Sequence, residues 1–197
     1  MTRISSIVVV TALCAVAGCF DEPEPAYKSV PAESRLYLHE KGLKDLNGVD
    51  LAKVVDYLNL DRNELTNVNE VAALKDLKWL RLNENRLSSL PDLKNLALLR
   101  RLYLRDNRFA SVPETIKDLP SLTDLELSGN PLKEVPTWLV NKPGLKNISF
   151  NRTKLTKLPE DLSGWQSLIS LQLGELQLSA EEMARIRKAL PKVAIVF

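Results

Sequence analysis

The sequence predicts an α/β solenoid: a right-handed superhelix of about seven coils, its short strands aligned in one parallel concave sheet and its C-terminal end closed by a helix and a strand. Three observations carry this expectation. A pattern of leucines ending in an asparagine recurs, most clearly as Leu77-Lys-Trp-Leu80-Arg-Leu82-Asn-Glu-Asn85-Arg-Leu87 and as Leu122-Thr-Asp-Leu125-Glu-Leu127-Ser-Gly-Asn130-Pro-Leu132. It recurs at near-constant spacing, with Leu36, Leu58, Leu80, Leu102, Leu125, Ile148 and Leu171 separated by 22, 22, 22, 23, 23 and 23 residues. The apolar residues of one coil are also too few to enclose a core, so only a stack of neighbours can bury them.

The first element is a targeting segment. Residues 1–18 open on Arg3, run apolar from Ile7 to Val16 and end in small residues. That stretch is too short to span a bilayer and reads as a secretory signal. Its end, Val16-Ala17-Gly18-Cys19, resembles the lipobox of bacterial lipoproteins, which implies cleavage before Cys19 and acylation of that cysteine. Cys14 would leave with the signal and Cys19 would carry lipid, so no thiol is expected for a disulfide or a metal site. Residues 19–33 hold Phe20-Asp-Glu-Pro-Glu-Pro-Ala-Tyr27, without periodicity, and are expected to form a tether. The resemblance implies a lipid-anchored protein of the bacterial envelope, periplasmic or surface-exposed. Phe20, where an aspartate would favour inner-membrane retention, points to the outer membrane.

Residues 34–178 carry the coils. The register leucines and the residues two further on, Leu38, Leu60, Leu82, Leu104, Leu127, Phe150 and Leu173, alternate with polar residues, so both should line the inner face of a strand. Two more apolar columns follow, one through Leu43, Leu65, Leu87, Phe109, Leu132, Leu155 and Leu178, the other through Leu46, Val68, Leu90, Val112, Val135 and Leu158. Asn63, Asn85, Asn107 and Asn130 stand where each strand turns outward, and their amides are suited to the backbone groups that leave the sheet there. Lys41, Thr153 and Leu176 replace them in the first and last two coils. Pro91, Pro113, Pro136 and Pro159 follow the last apolar column, where a missing N–H does no harm. These features are similar to those of bacterial leucine-rich repeat proteins: the 22-residue coils resemble the internalin class, the later Leu-Pro coils the general bacterial type. The resemblance implies protein or ligand recognition, through the exposed concave face.

Residues 179–197 should cap the stack. Ser179-Ala-Glu-Glu182 reads as a capping box, with Glu182 reaching back to the N-terminus, and Met183, Ile186 and Leu190 follow at helical spacing. Pro191 ends the helix, and Val193–Phe197 should add a last strand.

Function classes narrow by composition. Removing residues 1–18 takes away Arg3 and no acid, leaving 26 basic against 25 acidic side chains, which is no nucleic-acid binder. No nucleophile elbow, metalloprotease helix or phosphate loop is present, and His39 is a single histidine. An enzyme is therefore not expected, nor a cofactor or metal. The alternation places Tyr37, Tyr57, Trp79 and Tyr103 with Arg81, Arg101 and Arg105 on the open face of the first four coils. That mixture has the composition of interface hot spots. These seven residues are the candidate partner-binding site, for a protein or an anionic envelope glycan, on a monomeric domain. Two alternatives compete: a structural envelope lipoprotein, and a glycan hydrolase using Asp124 and Glu126, for which a lateral Arg101–Asp124 pair is the simpler account.

Overall fold

The structure, a computed structural model, describes residues 35–52 and 56–197. The expected signal, Cys19 and the expected tether lie outside these residues. Eight strands form one sheet, each hydrogen-bonded in parallel to the next in chain order. They are β1 (Arg35–Tyr37), β2 (Tyr57–Asn59), β3 (Trp79–Arg81), β4 (Arg101–Tyr103), β5 (Asp124–Glu126), β6 (Asn147–Ser149), β7 (Ser170–Gln172) and β8 (Ala194–Val196). The register leucines stand opposite one another from Leu36–Leu58 through Leu171–Ile195, the alignment expected from the repeat spacing.

Each strand is short because two leucines flanking one polar residue suffice to anchor it, and the next residues must turn away. Behind the sheet the predicted columns fuse into one core: Leu58, Leu80, Leu82, Leu102, Leu104, Phe109 and Phe150 are fully buried. Leu36, Leu38 and Leu43 of the first coil are only partly buried, as the end of a stack requires. The convex side returns through single turns of helix. One follows Pro113 as a 3-10 helix (Glu114–Asp118), another follows Pro136 as α1 (Thr137–Val140), and the carbonyls of both prolines accept the first helical hydrogen bonds. Trp165 is buried there, its indole N–H donating to Leu139 O at 3.1 Å, and Trp138 packs partly buried against the core. Both tryptophans serve packing.

The asparagine ladder carries the stack's internal hydrogen bonding. Asn107 Oδ1 accepts the N–H of Leu87 at 3.0 Å, while its Nδ2 donates to the carbonyls of Leu82, Leu104 and Arg105. Asn63, Asn85 and Asn130 do the same between their own pairs of coils. Thr153, lacking an amide, keeps one bond, from its hydroxyl to Phe150 O at 2.9 Å.

Immediately before the ladder every coil adopts a left-handed backbone. Glu40, Arg62, Glu84, Asp106, Arg152 and Glu175 have φ between 52° and 59°, and Gly129 has 69°. Non-glycine residues pay for this conformation, and the surroundings must hold them. Here the N–H of Glu40, Arg62, Glu84, Asp106, Gly129 and Arg152 each donates to a carbonyl two places before the asparagine position of the next coil, from Glu40 to Asp61 O through Arg152 to Gly174 O. The side chains form a chain of ion pairs along the rim. Arg62 bridges Glu40 at 2.6 Å and Glu84 at 3.3 Å; Arg105 bridges Glu84 at 2.9 Å and Asp106 at 3.2 Å. Gly129 is needed beneath Asp106, since a Cβ there would lie 1.9 Å from Asp106 Oδ1. Asp106 thus reaches over a whole coil to Arg152, 3.3 Å away.

At the C-terminus α2 (Ala180–Ala189) begins at Ser179, whose Oγ accepts from Glu182 N–H at 3.1 Å. The reciprocal half of the predicted capping box is replaced. Glu182 Oε1 instead accepts the N–H of Leu158 at 2.7 Å, and Arg185 ties the same carboxylate to Leu158 O. A backbone donor of the sixth coil would otherwise be left at the covered end, so the cap helix is bonded to the stack it closes.

Candidate functional site

The sheet's outward residues are the candidate site, and the register brings all seven together. The four rings form a continuous file: Tyr37 to Tyr57 at 5.1 Å, Tyr57 to Trp79 at 5.1 Å and Trp79 to Tyr103 at 5.6 Å between centroids, the latter two edge to face. Two guanidiniums stack on this file, Arg101 over Trp79 at 4.8 Å and Arg81 over Tyr103 at 5.5 Å. Cross-strand aromatic neighbours and cations over ring faces each stabilise such a surface by about 1 kcal/mol.

The sequence places large exposed rings here, and the structure qualifies that expectation. Tyr57, Trp79 and Tyr103 are 5–7% exposed and form their own small apolar cluster in front of the sheet, because rings at strand spacing cover one another. Burial pushes the Tyr57 phenol up to about 12, so it stays protonated. What a partner meets is Tyr37, 42% exposed at the end of the file, and the arginines lying on it.

Beside the file, toward the strands' C-terminal ends, lies a cleft of about 240 Å³ between Tyr103, Arg81, Asp61, Asn83, Arg105 and Glu126, with His39 exposed at its edge. Sequence reasoning missed what floors it. Asp61, Asn83, Ser128 and Asn151 occupy one register position, directly after the second register leucine, and link successive coils. Asp61 accepts Asn83 N–H at 2.7 Å and Arg81 Nε–H at 2.7 Å; Asn83 Oδ1 accepts Arg105 N–H at 2.9 Å; Asn151 Oδ1 accepts Gly174 N–H at 2.6 Å. The signal was present, a short polar residue at fixed offset, but Arg105 and Gly174 interrupt it.

Glu126 is 5% exposed. Its Oε1 accepts Ser128 N–H at 2.7 Å, yet desolvation dominates and raises its pKa above the usual carboxylate range. The folded pKa therefore exceeds the unfolded one, so the contribution to stability is full below the unfolded pKa and is lost as pH rises through the folded value. Glu126→Gln keeps the acceptor and removes the titration. Its urea-unfolding free energy should fall less than the parent's between acid and neutral pH, and parallel pH profiles for the two proteins would refute this.

Asp124, the other half of the carboxylate pair, is tied sideways: Asn147 Nδ2 donates to it at 2.7 Å, Thr123 Oγ also bonds it, and Arg101 lies 3.9 Å away. The lateral Arg101–Asp124 pair is present as expected. Among the described residues no group of histidine, cysteine and carboxylate side chains is placed to hold a metal ion.

An eight-stranded parallel sheet with this leucine core and asparagine ladder defines a leucine-rich repeat solenoid. Residues 75–132 match the family profile described as leucine rich repeat. Among solved structures the chain is similar to an internalin (InlF) of Listeria monocytogenes, with TM-score 0.63 and 24% identity over 75% of this chain and 42% of that one. It is also similar to a TDR receptor, with TM-score 0.65 and 23% identity over 82% of this chain and 30% of the other. The chain thus spans less than half the length of either, and at these identities the likeness concerns the fold. No match was found among curated proteins.

Proposed function

We propose that this protein is a lipid-anchored module of the bacterial envelope that recognises another protein through its concave face. The observation that carries this is the arginine-bearing aromatic file. Arg81 and Arg101 are held by stacking before any partner arrives, so their side-chain entropy is already spent, and a guanidinium pairs with carboxylates in a bidentate way. Leucine-rich repeat folds typically mediate protein–protein interaction, which fits.

The test is recovery of partners from envelope extracts on the immobilised full-length chain. Arg101→Glu should weaken capture by about 2 kcal/mol, and Tyr37→Ala should weaken it less. Both side chains lie outside the leucine core. Trp79→Ala is a poorer probe, since Trp79 is buried between Tyr57 and Tyr103 and its loss would also loosen the file. Equal recovery by the parent and an Arg101→Glu/Tyr37→Ala double variant would overturn the concave reading; capture of glycan without protein would change the class of ligand.

Anchoring is tested separately. Cys19→Ser should abolish labelling by fatty acid and leave the precursor uncleaved, and unchanged labelling would rule out acylation at that residue.

A further inference from the structure

The two sides of the aromatic file differ in charge balance. On the side already described, Arg81 is paired with Asp61, Arg105 with Glu84 and Asp106, and Arg62 with Glu40 and Glu84. The opposite side, where the chain enters the strands, is not matched in this way. There the residue preceding each strand reads Lys78, Arg100, Thr123, Lys146 and Ile169 from β3 to β7. Lys78 reaches the buried Asp56 only at 3.9 Å. Arg100 and Lys146 pair with no carboxylate among the described residues, Lys146 Nζ making a single 3.4 Å bond to Ser167 O.

A second cleft, of about 440 Å³, opens on this side over β4 to β7, between Arg101, Tyr103, Asp124, Lys146, Asn147 and Ile169. Its one carboxylate, Asp124, is already bonded by Asn147, Thr123 and Arg101. Arg101 and Lys146 stand two strands apart, about 10 Å at ordinary strand spacing. Ile169 adjoins Lys146, its N–H bonded to Lys146 O at 2.7 Å, and is 62% exposed, the highest value for a large apolar side chain among the described residues. Two cations and an uncovered isoleucine therefore share one cavity wall, and Tyr103 connects it to the aromatic file.

We infer that this cleft is a second contact subsite, taking a segment of the protein partner in which an acidic side chain lies beside an apolar one. The carboxylate would sit between Arg101 and Lys146 and the apolar group would cover Ile169. This rests on the concave face being the binding face, and it adds β6 and β7, whose own outward residues are small and polar, to the footprint. Charge complementarity selects the acid: the cleft's cations exceed its carboxylates, whereas the first cleft is balanced internally.

The experiment uses an array of short synthetic peptides whose net charge and apolar content vary independently, probed with the detergent-solubilised full-length chain. Acidic peptides with apolar residues should be retained, and capture should fall with added salt. Lys146→Glu should weaken capture about tenfold, and Ile169→Ser should weaken it severalfold. Lys146→Gln keeps the test readable if the glutamate variant unfolds. If Arg101→Glu loses capture while the Lys146 and Ile169 variants bind like the parent, this subsite falls and the concave reading stands. If all three bind like the parent, the concave reading falls with it. Retention indifferent to peptide charge, or no retention, also overturns the assignment. So does binding to phosphatidylglycerol vesicles without peptide capture, which would make the ligand a lipid surface.

Discussion

Deleting residues 180–197 should turn a well-behaved domain into one that aggregates, or that melts far below the parent. The deletion removes Ile186, Leu190 and Val193, all buried, whose withdrawal from water contributes about 2 kcal/mol each. It also uncovers Leu171 and Leu173 of the seventh coil and strips β7 of its partner β8, leaving a bare parallel edge. Leu158 N–H loses the Glu182 carboxylate and Leu158 O loses Arg185. A solenoid depends on its terminal units for solubility, since each internal coil is covered by neighbours and the last is not. Size-exclusion chromatography and a thermal melt decide the matter. An unaltered midpoint with an unaltered elution volume would show the cap to be dispensable.

Asn107→Ala is expected to cost about 3 kcal/mol, more than its size suggests. The side chain is 7% exposed, and its removal leaves Leu87 N–H without an acceptor and takes one of two donors from each of the carbonyls of Leu82, Leu104 and Arg105. Alanine offers nothing in return, and the position lies too deep for water to substitute without opening the turn. The exposed Asn95, on the convex side, should tolerate the same change within about 0.5 kcal/mol. Urea denaturation of both variants measures the difference. A cost for Asn107→Ala below about 1 kcal/mol would mean that solvent reaches those groups after all.

How much of this was legible depended on whether a feature repeats in residue type or only in geometry. The leucine columns and Asn63, Asn85, Asn107 and Asn130 recur as identities, so strands, core and ladder could be placed from spacing alone. The left-handed column could not, because glutamate and arginine have no preference for positive φ and Asp106 is a single aspartate among them. There the next coil's carbonyls impose the conformation, and only Gly129 advertises it. The polar series of Asp61, Asn83, Ser128 and Asn151 was hidden by its mixed chemistry. At the candidate site, alternation placed the seven side chains on one face and gave the Arg101–Asp124 pair. Exposure escaped it, since whether Trp79 is open or covered depends on rings 22 and 24 residues away, Tyr57 and Tyr103. Ile169 escaped as well: an isoleucine beside a strand reads as core until its neighbours show that nothing covers it.

The rim of ion pairs also bears on how such a chain can lengthen. Its column alternates Glu40, Arg62 and Glu84, so inserting a copy of the first or second coil beside itself would set two like charges one strand spacing apart, as Glu84 and Asp106 already stand with Arg105 bridging them. Copying two coils together restores the alternation. The fifth coil contributes no charge to the rim at Gly129, and Asp106 and Arg152 pair across it. Growth by duplication is thus easiest in pairs of coils near the N-terminal end; a second copy of the fifth coil would part Asp106 from Arg152, whereas excising the fifth alone would bring those opposite charges side by side.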